Sequence, residues 1–331
     1  MSYQTGTATT ATNLLETLVT WLVSLGWTQD RSAVEGLGWT ASLNHNGNFV
    51  NLRAVENETG TIPWHASVSG AYGLHMYLGT AFDGSQPFNN QAGGPLGSST
   101  FPVGVGMQLN AGPFSNYYFF ADATADNIVI VVERTPGLFV HLGWGLSIKK
   151  AGAFTGGPYF FGSTSGLYTG YLYTTPGSPG FTSTTDCPFV NRDGQSAGCG
   201  FVRADVDSYT GLWVSIATTT TRDDGYAGRA GDSSVMGTGS VPNPNIPVYA
   251  DGAGAFKFQF AQTSAQDGRS NLLPIYLWVL RDGTTTGYSL LGTVPNVFWS
   301  NAVGNGFSNA EEYVLGGTTY KLFPNFAVVK Q

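Results

Sequence analysis

The chain has 331 residues, 11% of them charged, 42% hydrophobic and 14% aromatic, with 46 glycines and a formal net charge of −7. That length accommodates one large β domain or two smaller ones, and a composition so rich in rings and poor in charge excludes the disordered class. The acidic balance excludes a general nucleic-acid binder, because phosphate neutralisation requires clustered Lys and Arg and the one adjacent basic pair is Lys149-Lys150.

The opening MSYQTGTATT lacks the basic region of a secretory signal, and the apolar residues behind it are too few and too interrupted for a membrane span. Residues 13–25 predict a helix: Asn13 as the cap, Glu16 completing a capping-box spacing, and Gly26 as the stop. Its apolar residues, among them Leu14, Leu18, Trp21, Leu22 and Leu25, cover a wide face that must be packed. Either the helix lies on the outer face of a sheet, or Leu18 and Leu22 belong to a subunit interface. Next, the runs 39–43 and 49–55 flank Asn44-His45-Asn46-Gly47, where Asn-Gly supplies the positive φ angles of a tight hairpin. Residues 64–78 alternate less cleanly. The loop 83–101, with Gly93-Gly94-Pro95, is expected to bury little and to serve as a mobile arm or, preferably, as a segment ordered on a neighbouring subunit.

The stretch 117–161 is the most informative. YYFF, then NIVIVVE, then LFVHLGW read as three strands joined by a polar turn at 122–127 and by Pro136-Gly137, an antiparallel meander. Its order of Val131, Val132 and Glu133, then Gly137, Phe139, His141 and Gly145, then Lys149, Gly156, Gly157 and Tyr159, resembles a group of structural proteins of tailed bacteriophages. The opening helix followed by Gly26-Trp27 and the late LGGTTYKLFPN at 315–325 resemble the same group, and the resemblance is weak between 163 and 309. The resemblance implies a virion component assembled in the host bacterial cytoplasm, of the neck, collar or tail. Its motifs are structural, so it carries over no catalytic residue and no cofactor. It also favours free thiols at Cys187 and Cys199, since that compartment is reducing.

From residue 162 to 200 the sequence becomes rich in Thr, Ser, Gly, Pro and Tyr, a shift that divides the chain into 1–162 and 163–331, the second β-rich region either separate or continuous with the first. Strands are expected at 200–206, 211–217, 255–260, 274–281, 286–291 and 318–323. The prolines 242, 244 and 247 forbid regular structure in the loop before 248.

Candidate chemistry is sparse. His45, His65, His75 and His141 do not fall at a zinc-binding spacing, and Asp205, Asp207, Asp223 and Asp224 do not form a calcium loop. A glycosidase would need paired carboxylates, and Glu133, Asp205, Asp207 and Asp251 show no pattern that selects a pair. Ser196 sits in a G-x-S-x-G string without the strand before it and helix after it that a nucleophile elbow requires. No enzyme is therefore expected. The aromatic residues beside hydroxyls and amides suit protein interfaces, with Tyr168, Tyr171, Tyr173 and Phe181 as contact candidates; a glycan surface is the rival use.

These readings converge on a mainly-β protein, an antiparallel β-sandwich or barrel with a short N-terminal α-helix. Its expected role is that of an oligomeric assembly subunit, forming a ring with copies of itself and contacting other virion proteins. The alternative is a tail-tip or baseplate protein that binds a host receptor or glycan.

Overall fold

A computed structural model describes residues 1–35, 38–62, 65–92, 105–150, 157–162, 164–165, 200–204, 212–215, 248–250, 256–258, 272–280, 288–300, 302–303, 306–324 and 326–331. In chain order the first half comprises β1 (Ser2–Ala8), α1 (Ala11–Ser24), β2 (Thr28–Glu35), β3 (Gly38–His45), β4 (Asn48–Ile62), β5 (His65–Gly79), β6 (Val105–Gln108), β7 (Phe114–Ala121), β8 (Asn127–Thr135) and β9 (Leu138–Gly145). Then come β10 (Lys149–Lys150), β11 (Tyr159–Gly162), β12 (Thr164–Ser165), β13 (Gly200–Ala204), β14 (Leu212–Ser215), β15 (Val248–Ala250) and β16 (Phe256–Phe258). The last are β17 (Leu273–Leu280), β18 (Tyr288–Trp299), β19 (Glu312–Leu315), β20 (Thr318–Phe323) and β21 (Phe326–Val329).

The helix starts two residues before its sequence-based position. Thr10 is the cap, its hydroxyl oxygen accepting the Asn13 N–H at 3.1 Å, while the Asn13 side-chain oxygen accepts the Thr9 N–H at 3.1 Å. Asn13 thus reaches back in the manner expected of Glu16, but to the residue before the cap, and a further free N–H at the helix start, that of Thr12, goes to the Glu56 carboxylate at 2.6 Å. The stop is where the sequence placed it. Gly26 has φ +98, its N–H reaches the Val23 carbonyl at 3.0 Å, and the Trp27 N–H reaches the Leu22 carbonyl at 3.1 Å. This paired closure needs a left-handed residue at Gly26, and the buried rings and side chains of Trp27 and Leu22 accompany it.

All three large sheets are antiparallel. The central one runs β1-β7-β8-β9-β11-β13-β14; a second runs β12-β6-β5-β4-β3-β2; a third runs β10-β18-β21-β20-β19, with β17 also on β18. None of them closes into a barrel among the described residues. The expected hairpin is the β3–β4 pair, with His45 opposite Asn48 and Asn46 and Gly47 at φ 50 and 83 as its two-residue turn. The expected meander is β7-β8-β9, in register from Tyr118 to Val131 to His141.

Period-two alternation explains the layering. One face of the central sheet, with Phe119, Ile130, Leu142 and Trp144, meets Leu43, Leu52 and Met76 of the second sheet and the apolar side of α1 in one core. The opposite face, with Val131, Phe139, His141, Tyr159 and Phe161, is also buried, and Phe323 and Phe326 of the third sheet pack against it. A sheet covered on both sides reads as continuous apolar runs rather than alternation, as NIVIVV does.

Among the described residues three pairings cross residue 162, the first being Thr164 and Ser165 of β12 with Gly106 and Val105 of β6. β13 continues the central sheet beside β11, and Lys149 and Lys150 pair with Thr293 and Gly292 of β18.

The loop after β5 departs from expectation over its first part. Residues 83–92 fold onto the second sheet, burying Phe88 and Gln91. Gln91 makes this fold feasible: its amide donates to the Asp83 and Gln86 carbonyls at 2.9 Å, and its side-chain oxygen accepts the Asp83 N–H at 2.7 Å. One side chain thereby replaces water for several backbone groups of the turn. Residues 93–101 lie outside the described residues.

Candidate assembly surface

Leu18 and Leu22, the helix residues named as interface candidates, are both fully buried in the core between the first two sheets. The helix resolves its wide apolar face by packing it inward, and the apolar side chain it leaves outside is Val23, 46% exposed. Tyr168, Tyr171, Tyr173 and Phe181 lie outside the described residues, as do Cys187, Cys199, Ser196, Asp205, Asp207, Asp223, Asp224 and Asp251.

Large exposed apolar side chains gather instead at sheet edges. Val314 and Leu315 are 64% and 47% exposed on β19, the terminal strand of the third sheet, and Val34 is 81% exposed on β2, the terminal strand of the second. β19 and β20 form a hairpin closed by Gly316 and Gly317 at φ 58 and 84, with Leu315 opposite Thr318. At the hairpin's base the Lys330 ammonium donates to Glu312 at 2.7 Å and Lys321 lies 3.5 Å from the same oxygen. The Lys330 bond, then the two ammonium charges, hold the Glu312 carboxyl below the usual range. The base is anchored, and among the described strands β19 pairs with β20 alone, the arrangement that accepts another strand or an apolar surface.

His45, His75 and His141 lie at three separate places. His75 sits on the outer face of the second sheet opposite Arg53, and His141 on the central sheet against Phe326, its ring centroid 5.0 Å away. Burial drives both imidazoles down to about 3, with the Arg53 charge adding to the effect at His75. His45 lies at the β3–β4 turn, its ring nitrogens 3.2 Å from the Gly26 carbonyl and 2.9 Å from the Thr124 carbonyl, bridging the helix end to the β7–β8 turn. His65 is on β5. Among the described residues no group of three or more His, Cys, Asp and Glu is placed to hold a metal ion. Glu133 is occupied structurally: its carboxylate accepts the Asn116 amide at 2.5 Å and the Gly137 N–H at 2.9 Å, fastening the turn between β8 and β9.

A feature absent from the sequence reading is β1 itself. Apart from Tyr3 and Ala8 its residues are Ser, Gln, Gly and Thr, which carry no alternating apolar signal, yet it pairs with β7 from Ser2–Ala121 onward. Between β1 and α1 lies an open groove of about 410 Å³, walled by Gln4 on one side and by Asn13, Glu16, Thr17, Thr20 and Ser24 on the other, with Trp21 below.

No known protein family matches the sequence, and no curated protein matches it. No helix among the described residues is long and apolar enough to cross a membrane. Fold and surface together define a mainly-β protein of layered antiparallel sheets with one short helix.

Proposed function

We propose that this chain is a structural subunit of a tailed-bacteriophage particle, a component of the neck, collar or tail that assembles with its own copies and with other virion proteins. The observation that carries the reading is the β19–β20 hairpin. The segment 315–325, whose sequence resembles phage structural proteins, is also the segment where Leu315 and its neighbour Val314 stand exposed on an edge strand. The same segment returns inward: Phe323 lies 5.4 Å from Phe139 of the meander, so the two stretches that carry the resemblance meet in one aromatic cluster. Such a unit presents an apolar edge on a fixed base, and repetition of that contact around an axis closes a ring.

The test is to locate the chain by cryo-electron microscopy in particles made from the genome that encodes it, and to repeat the preparation with Val314→Lys and Leu315→Lys together. A ring at the head–tail junction or along the tail, lost from particles of the double variant while that variant stays folded in isolation, supports the reading. A chain absent from the particles overturns it. Placement at the distal tip transfers the argument to receptor or glycan binding.

A further inference from the structure

The groove between β1 and α1 has an unusual balance of donors and acceptors. The Thr17 hydroxyl donates to the Asn13 carbonyl at 2.7 Å, the Thr20 hydroxyl to the Glu16 carbonyl at 2.9 Å, and the Ser24 hydroxyl to the Trp21 carbonyl at 2.6 Å. Each hydroxyl has one proton, and a carbonyl can only accept, so what these residues have left are oxygen lone pairs. The Gln4 amide donates one N–H to the Tyr117 hydroxyl at 3.0 Å, which leaves its side-chain oxygen and a second N–H, while Asn13, its oxygen accepting the Thr9 N–H, turns amide donors to the same groove. Glu16 adds an exposed carboxylate, the one charged group among the lining residues. Three hydroxyl oxygens, the Gln4 oxygen and the Glu16 carboxylate outnumber the amide N–H groups of Asn13 and Gln4, so the wall has a surplus of acceptors and one negative charge, complementary to a cation carrying several N–H donors.

Alongside this wall runs a free sheet edge. β1 terminates the central sheet and, among the described strands, pairs with β7 alone, so its second row of main-chain N–H and C=O groups is available. A seven-residue strand spans about 23 Å and the fourteen-residue α1 about 21 Å, so edge and wall are matched in length. Tyr3 faces the opposite side of β1, where Lys330 lies 4.7 Å from its ring centroid; Gln4 faces the groove. A strand added to the β1 edge would turn alternate side chains into the groove.

We propose that the β1 edge and the β1–α1 groove together bind an extended basic segment of a partner protein, its main chain pairing with β1 and an arginine or lysine side chain lying against Glu16, Thr17 and Thr20. The groove volume falls in the range of small-ligand sites, enough for one guanidinium and its stem. This inference rests on the groove chemistry alone and does not depend on the virion reading.

The test uses the full chain and three blocked heptapeptides of alternating threonine with arginine, citrulline or glutamate, together with arginine amide. Amide chemical shifts and titration calorimetry report binding. The arginine peptide is expected to shift the β1 and α1 amides, to weaken with added salt, and to bind about tenfold less tightly to Glu16→Gln, the loss of one charge-assisted contact. Glu16 is exposed and outside the core, so the variant keeps the fold. Equal binding of the arginine and glutamate peptides, or no effect of Glu16→Gln, would overturn the proposal. Arginine amide binding as tightly as the peptide, without shifts along β1, would remove the strand-pairing half of it.

Discussion

Gly145 and Tyr159 face each other across the β9–β11 pair, and a Cβ on Gly145 would come within 2.7 Å of Tyr159 Cζ. Two motif positions that are fourteen residues apart in sequence are thus one cross-strand unit, a ring lying over a glycine. Gly143 and Phe161 repeat the arrangement two residues along. The Tyr159 hydroxyl also donates to the Asn127 side-chain oxygen at 2.8 Å, closing the unit onto the β7–β8 turn.

Gly145→Ala is accordingly expected to destabilise the fold by about 2 kcal/mol through overpacking, and Tyr159→Ala by about 3 kcal/mol through the cavity it leaves. The added Cβ would meet Asn127 Oδ1 as well as the Tyr159 ring, and the Tyr159 hydroxyl is bonded to that same oxygen, so the changes share partners and the double variant should lose clearly less than the sum. Urea unfolding of the four proteins measures this, and strict additivity would show that the ring and the glycine are independent.

Acid should weaken the protein through His75 and His141. Both are held neutral inside, with imidazoles depressed to about 3 by burial. Between the ordinary histidine range near 6.5 and that value the unfolded chain binds protons that the folded chain does not, so stability is lost as pH falls through this window. Each histidine contributes up to about 1.4 kcal/mol per pH unit there. Denaturation midpoints should be flat above pH 7 and decline towards pH 5, with a shallower decline in His75→Gln and His141→Gln. An unchanged pH profile in both variants would place the acid sensitivity elsewhere.

How much of this was legible from sequence depends on which signal each element carries. Asn46-Gly47 fixed the β3–β4 hairpin because its backbone requirement is local, and the meander was readable because rings and β-branched residues are interrupted by turn residues. β1 was invisible, since Ser2, Gln4 and Thr5 form a strand only because β7 offers its edge. Leu18 and Leu22 were readable as packed, but whether a subunit or the chain itself covers them is a tertiary fact. The groove was harder still: its character depends on which carbonyls consume the hydroxyl protons of Thr17, Thr20 and Ser24, information that no residue spacing contains.

The helix start offers a sharper test of local structure. Thr10 rather than Asn13 accepts the free N–H at the first turn, so Thr10→Ala should cost about 1 kcal/mol. Thr10→Asp should retain most of that stability, because aspartate caps equally well and suits the positive end of the helix dipole. If Asn13 were the cap instead, Thr10→Ala would be silent in thermal unfolding.

Phe323 is one of the residues that attach the third sheet to the central one. It is fully buried, its ring centroid lies 5.4 Å from both Tyr118 and Phe139, and it stacks on Phe326 at 5.0 Å. Truncation to alanine removes the ring from all three and leaves a void between two sheets, a loss of about 3–5 kcal/mol. The consequence should be regional. Hydrogen exchange in Phe323→Ala should accelerate most in β20, β21 and the facing strands β7 to β9, whereas amides of β3 and β4, which belong to the core on the other side of the central sheet, should keep more of their protection. Uniform acceleration in all three sheets would mean instead that the layers unfold as one unit.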